Sequence, residues 1–413
     1  MRASLFPRLG ALALAAALAG CSAAAPAPTP TPAPTTAPTS APTSAPTAAP
    51  TASPLPTAAP DPLPGPDAAT SAAMAEALLA RRGTATDLPL VGLVAEAEET
   101  DAGTTLLAYR VEDLLTPQPV PGETAALPVW QDTSWQPNGV PAIGLTEEEM
   151  RALADEAAET LGAEILSYET LTPHESIEAL ELPGVTRDSV YGVQGKASGL
   201  RIKVWGDGEL AVWFDAARPL PDGFAPPADE ATGTALAAHW GEALAGLLGY
   251  AAPEALWYTT DADIYGAQTP TVLVYESAAD PVESYLNRTL APTALYFNES
   301  GALTGLRRES LRACEKLGDY PLLTADEARA LLLAGEGFGG EAPAAEAIEA
   351  VELGYAGGAY KLPCYRFYVR NEAAPMPDPL AAGLTPYTVH LVPAIDTAYW
   401  GESTPIGPRY GEP

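Results

Sequence analysis

The 413-residue chain is poor in cysteine (3), histidine (3), methionine (4) and phenylalanine (6), and its 21 Lys and Arg stand against 53 Asp and Glu. So few cysteines cannot build a disulfide-dense scaffold, nor a zinc site of four thiolates within one chain. His174, His239 and His390 are far apart, and none has a second histidine at metal-ligand spacing. A formal net charge of −32 excludes a nucleic-acid partner, because phosphate contacts need clustered Lys and Arg. It also opposes docking on anionic headgroups. Catalytic signatures are missing too: there is no H-E-x-x-H, no G-x-S-x-G and no G-x-x-x-x-G-K-[ST]. Gly335, Gly337 and Gly340 match G-x-G-x-x-G but follow a helix pattern, so they read as a loop. Asp261 and Asp263 fall well short of the roughly six to eight oxygens that calcium takes.

What is present begins with an address. Arg2 and Arg8 precede an apolar run, Leu9 to Ala19, that is too short to span a bilayer, which needs about 20 residues. The run ends in Leu18-Ala19-Gly20-Cys21, which resembles the bacterial lipobox. That resemblance implies cleavage between Gly20 and Cys21 and diacylation of the Cys21 thiol. Two acyl chains anchor stably where one is marginal. The expected location is the outer face of the cytoplasmic membrane, at the cell surface, with everything after Cys21 outside the cytoplasm. Residues 22–67 are almost entirely Ala, Pro, Thr and Ser, with prolines at 38, 42, 46, 50 and 54. Such a segment buries too little to offset its ordering entropy. In polyproline II it would reach on the order of 140 Å at full extension. It reads as a disordered stalk.

The rest alternates helix and strand signals. A helix over about 68–82 precedes two strand candidates, Leu88–Ala97 and Thr104–Val111, and a short extended piece at Leu127–Val129. Thr146–Glu149 and Thr324–Glu327 are capping boxes, and Pro227–Glu230 opens a further helix. These starts are about 80 to 95 residues apart. Strands follow each one. Leu200, Ile202 and Val204 alternate with Arg201, Lys203 and Trp205 before the turn Asp207-Gly208, which predicts a half-buried hairpin. A second hairpin turns at Asn298–Gly301, and strands are expected at Ile348–Tyr355, Tyr365–Val369 and Tyr387–Val392. The predicted fold class is α+β: tandem modules of one helix packed on a small antiparallel sheet, preceded by the disordered Pro/Thr/Ala linker. The divisions are 1–20 signal peptide, 21–67 anchor and stalk, 68–145 N-terminal α+β region, and modules at 146–222, 223–318 and 319–413.

Several stretches carry a resemblance. They are Leu127–Trp130, Gly144–Met150, Lys316–Pro321 with Ala325–Ala328, and Tyr365–Val369 with Leu391–Ala394. Together they resemble an uncharacterised group of surface lipoproteins from Gram-positive bacteria, which brings no assigned activity. The order of elements is similar to PepSY-type units, a helix on a small antiparallel sheet. That resemblance implies a role in extracytoplasmic protease regulation or as an accessory to a membrane sensor.

Cys314 and Cys364 remain once Cys21 is lipidated. The compartment permits a disulfide, worth up to about 4 kcal/mol for such a loop, and the alternative is two buried thiols. We expect the bridge. The tryptophans at 130, 135, 205, 213, 257 and 400 fall in strands or loops, where core packing competes with a binding role. The reading is a non-catalytic binding or regulatory module, anchored to membrane lipid through acylated Cys21, whose partner is another envelope protein. No cofactor, metal or nucleic acid is implied. The alternative is a cell-wall-directed hydrolase or glycan-binding protein, which would show converging carboxylates in a concave site.

Overall fold

Helix starts in this chain are set by side chains that accept from otherwise unpaired backbone donors. In the computed structural model the described residues are 65–92, 102–121, 124–133, 144–172, 190–373 and 383–401. The signal segment, Cys21 and the stalk up to residue 64 lie outside them, as do residues 93–97 of the first strand candidate, Trp135 and His174. Helix α1 (Ala68–Ala80) begins at Asp67, which accepts from the Thr70 amide at 2.8 Å. Strands β1 (Thr105–Ala108) and β2 (Ala126–Asp132) follow. Helix α2 (Glu147–Thr160) carries the expected box: the Glu149 amide donates to Thr146 Oγ1 at 3.2 Å, and the Thr146 amide donates to Glu149 Oε2 at 2.8 Å. Next come β3 (Ile165–Leu171), β4 (Gly192–Ala197), β5 (Leu200–Trp205) and β6 (Leu210–Arg218).

Asp229 caps α3 (Glu230–Ala243), which runs into the short α4 (Ala245–Leu248). Strands β7 (Pro253–Ala262) and β8 (Gln268–Glu276) lead to α5 (Pro281–Leu290), with Asp280 as cap and Pro281 in the first turn. After β9 (Thr293–Phe297), β10 (Leu303–Arg308) and β11 (Cys314–Pro321), α6 (Ala325–Leu333) opens on the second capping box, at Thr324 and Glu327. Strands β12 (Ile348–Ala356), β13 (Tyr360–Arg370) and β14 (Thr385–Pro393) complete the order.

The expectation of tandem modules, each a helix on its own small sheet, is overturned by how these strands pair. Strands β3–β6 and β7–β10 form one antiparallel sheet of eight, in the order β3-β4-β5-β6-β10-β9-β8-β7. The join is β6 with β10, where Val212 faces Leu306 and Ala211 faces Arg307. A sheet of four would leave β6 and β10 as bare edges, and pairing them satisfies both rows of backbone groups. The C-terminal strands likewise do not stand alone. Strands β1, β2 and β11 join β12–β14 in a six-stranded antiparallel sheet, with β1-β14-β13-β2-β11 as its path. The expected boundary at 318/319 falls inside β11. All the described residues belong to one compact unit.

Helices α2 and α3 cover one face of the large sheet. Met150, Ala154, Leu236 and Trp240 pack on Ile202, Val204, Val212 and Leu306. In the smaller sheet Leu331 and Leu332 of α6 share a core with Phe367, Leu391, Val392 and Trp400. Each such aliphatic or aromatic side chain contributes about 1.5–3 kcal/mol when fully buried. Between the sheets, Tyr285 and Leu290 of α5 meet Leu127 and Tyr355, and Arg288 donates to the side chain and carbonyl of Gln118. No helix among the described residues is long and apolar enough to cross a membrane.

Candidate functional site

The alternation read in β5 sorts the large sheet into two faces. Ile202 and Val204 are fully buried under the helices, so Arg201, Lys203 and Trp205 stand on the opposite face. Cross-strand register extends that face. Lys196 faces Arg201, Arg201 faces Trp213, Trp213 faces Gly305, and Gly305 faces Tyr296. The next row runs Gln194, Lys203, Ala211 and Arg307. The Trp213 and Tyr296 rings stack across Gly305, with centroids 5.1 Å apart and planes 26° from parallel. Gly305 makes this possible, because a Cβ there would stand 2.4 Å from Trp213 Cε3 and 2.7 Å from the Val212 carbonyl. Lys203 Nζ lies 4.3 Å above the Trp205 ring.

Half of this face is covered. Leu256, Leu273 and Tyr275, on β7 and β8, are buried, with Arg288 of α5 over the Tyr275 ring at 5.8 Å. The half carried by β4, β5 and β6 is open. Trp213 is 37% exposed, one of few large apolar side chains so placed among the described residues, and Lys196 and Arg201 are exposed.

At the end of the open half, the β5–β6 turn meets the smaller sheet. The Glu209 amide donates to Asp207 Oδ1 at 2.8 Å, closing the turn, and Gly208 (φ 86°) backs onto Ser310 and Arg312. Glu209 is 8% exposed and accepts from Arg307, leaving Oε1 without a hydrogen-bond partner. Across the seam Lys361 Nζ lies 3.6 Å from Asp132. Burial pushes the Asp207 and Glu209 carboxyls up, and for Glu209 the Arg307 guanidinium works against it. Burial also opposes the charge on Arg307, but the Glu209 carboxylate outweighs it and raises its pKa. Glu309 goes furthest: burial, with Glu209 beside it, pushes its carboxyl up to about 7 despite Lys361 and Arg307.

The residues singled out from sequence fall elsewhere or lie outside the described part. Cys21 and Gly20 lie outside the described residues. The expected bridge is absent: Cys314 and Cys364 are free thiols, on β11 and β13, and β2 lies between these strands. Burial pushes the Cys314 thiol up to about 11 and the Cys364 thiol up to about 12, so neither is a thiolate at neutral pH. His390 is buried in β14 with its pKa depressed by burial, and His239 packs between Phe224 and Trp240. Asp263 accepts from the Tyr265 and Ala267 amides, as a turn residue does. Gly335, Gly337 and Gly340 follow α6 in a loop. Trp400 is buried, Trp257 lies against Gly233 of α3, and Trp130 sits at the seam. Trp205 and Trp213 alone among the described tryptophans line the open face.

Sequence reasoning does not single out Tyr296, Arg307, Glu209 or Glu309. The outward run Arg201, Lys203, Trp205 is the one local signal of this face, and its other members come from strands far along the chain. An open depression of about 690 Å³ lies elsewhere, on α2, lined by Glu147, Glu148, Arg151, Ala152 and Asp155. No three His, Cys, Asp or Glu among the described residues are grouped so as to hold a metal ion.

These features define a protein built mainly of antiparallel strands, in two large sheets with few helices, one sheet presenting an open half-face that bears rings and charges. Compared with the known protein families and with the curated proteins, the chain matches none.

Proposed function

We propose that the chain is a lipoprotein held at the outer face of the cytoplasmic membrane through acylated Cys21. Its folded body acts as a non-catalytic binding or regulatory module for another envelope protein. The observation that carries the binding role is the open half-face of the large sheet, with Trp213 37% exposed beside exposed Lys196 and Arg201. Trp, Tyr and Arg are the side chains over-represented where binding energy concentrates. The leader ending at Cys21 and the proline-rich stretch after it support the address. Metabolic labelling with a clickable fatty acid should mark the wild type and leave Cys21→Ser unmarked. Membrane crosslinking should recover one envelope protein with the wild type and lose it with Trp213→Ala. An unlabelled wild type removes the anchor, and crosslinks indifferent to Trp213 remove this face.

A second reading, a wall-directed hydrolase, has one observation in its favour: Asp132, Asp207, Glu209 and Glu309 gather at the seam. It requires turnover of wall polymer that Glu309→Gln abolishes. The ties of Glu209 to Arg307 and of Asp132 to Lys361 favour the binding reading.

A further inference from the structure

The chain carries more than two acids for every base, whereas on the open half-face cations and carboxylates are nearly balanced. Its cations are Lys196, Arg201, Lys203 and Arg307. Its carboxylates are Glu169, Asp215, Glu209 and, at its buried end, Glu309; Glu209 is committed to Arg307. The placement costs the free protein something. Lys196 and Arg201 are direct cross-strand partners, and like charges opposite one another destabilise a sheet. Asp215 does not resolve the conflict, since it stands 3.9 Å from Arg201 with both side chains more than half exposed. Among the described residues no carboxylate pairs with Lys196. Beside these charges lies the Trp213 ring, held flat by its stack on Tyr296 and by the absence of a side chain at Gly305. A preformed aromatic platform beside two exposed cations that face each other, Lys196 and Arg201, is a surface suited to an anionic partner that brings an apolar group.

We propose that this half-face, with Trp213 at its centre and Lys196, Arg201 and Lys203 around it, docks an extended acidic segment of a partner protein. An apolar side chain of that segment covers the Trp213 ring, and its carboxylates separate Lys196 from Arg201. The inference rests on the reading of the chain as a binding module and names the surface and the partner's chemistry. A protein segment fits better than an acidic glycan. Adjacent strands stand about 4.8 Å apart and alternate residues about 6.8 Å, so the cations match acidic side chains on an extended backbone.

The test is calorimetric titration of the full-length chain at low salt with three probes. These are a short peptide of repeating Glu-Ser-Leu-Ser, which puts glutamate and leucine on one face of an extended chain, the same peptide with lysine for glutamate, and polygalacturonate. The glutamate peptide should bind at least about tenfold tighter than the lysine peptide, and the difference should shrink as salt rises. The double variant Lys196→Glu, Arg201→Glu should lose at least about tenfold of that affinity with a cooperative unfolding transition retained. The single variant Lys196→Glu places opposite charges across the strands, so its unfolding midpoint should be no lower than that of the wild type. Equal binding of the two peptides, or a double variant that binds as well as the wild type, overturns the proposal. Polygalacturonate binding as tightly as the glutamate peptide overturns it in favour of an anionic glycan. If crosslinking in membranes still recovers a Trp213-dependent partner while the glutamate peptide fails, the binding module stands and the acidic-segment assignment falls.

Discussion

The two sheets use their faces differently. In the six-stranded sheet the central strands are closed on both sides: Leu362 to Tyr365 and Phe367 to Val369 on β13 are buried, as are Val389 to Pro393 on β14. In the eight-stranded sheet β5 alternates buried with exposed or half-buried positions along its whole length. The chain has 17 tyrosines against 6 phenylalanines, so a closed sheet built from it must find partners for buried hydroxyls. It does. Tyr365 donates to the Leu323 carbonyl at 2.8 Å, Tyr355 to the Pro128 carbonyl at 2.8 Å, and Tyr387 to Glu349 at 2.9 Å. The open half-face does the reverse, with rings and charges left to solvent. One sheet is organised for stability and the other leaves surface free for contact.

The sharpest way to break this contrast is to truncate one aromatic on each sheet. Phe367→Ala, at a position 1% exposed, should cost about 3–5 kcal/mol in denaturant unfolding, from lost burial plus the cavity left behind. Trp213→Ala removes a ring already part-solvated and should cost about 1–2 kcal/mol. Equal losses would mean that the half-face is a core surface.

Acid should act on the two regions with opposite sign. Glu309 has its carboxyl raised from 4.5 to about 7 by burial, so the folded state binds more protons than the unfolded state between those values. Its contribution to stability is therefore complete below about pH 4.5 and is lost as pH rises through about 7. His390 in the closed sheet has its pKa lowered by burial, so protonation favours the unfolded chain as pH falls through about 6.5. Urea midpoints of the wild type and Glu309→Gln, followed from pH 8 to 5, should converge in slope only where Glu309 does not titrate. The wild type should gain on the variant as pH falls through about 7. Parallel curves would show that Glu309 is ordinary. Glu149 and Asp229 have carboxyls lowered by backbone donors at helix starts, and they lose their contribution only at more acid pH.

The smallest expected difference is between two Thr–Glu capping boxes, taken from the helix layer of each sheet. Thr146→Ala and Thr324→Ala should each cost about 1 kcal/mol, because each leaves one first-turn amide unpaired. Thermal melts with a loss confined to one variant would show that the helix layers are not equally coupled to their sheets.

Part of this is legible in the sequence. The capping boxes at Thr146 and Thr324, the β5–β6 turn at Asp207-Gly208 and the alternation of Arg201, Lys203 and Trp205 can be read there, because each signal lies within a few residues. Strand β4 cannot. Its glycines and polar residues, as in Gly192-Val193-Gln194-Gly195, carry little strand propensity, and neighbours on both sides hold it extended. Strand β3 is missed although its Ile165, Tyr168 and Thr170 favour an extended chain. Helix α5 escapes the sequence reading although Asp280-Pro281 marks its start.

What the sequence by itself determined was local: where helices begin, where two hairpins turn, and which β5 residues share a face. A hydrogen bond or a pleat three or four positions long needs nothing from the rest of the chain. Tertiary structure decided that β6 and β10 fuse two sets of strands, that one half of a face is buried while Trp213 stays in the open, and that Arg307 meets Glu209 from 98 residues away. Those outcomes depend on which edges find partners and which apolar surfaces remain to be covered, and no short stretch of sequence holds that information.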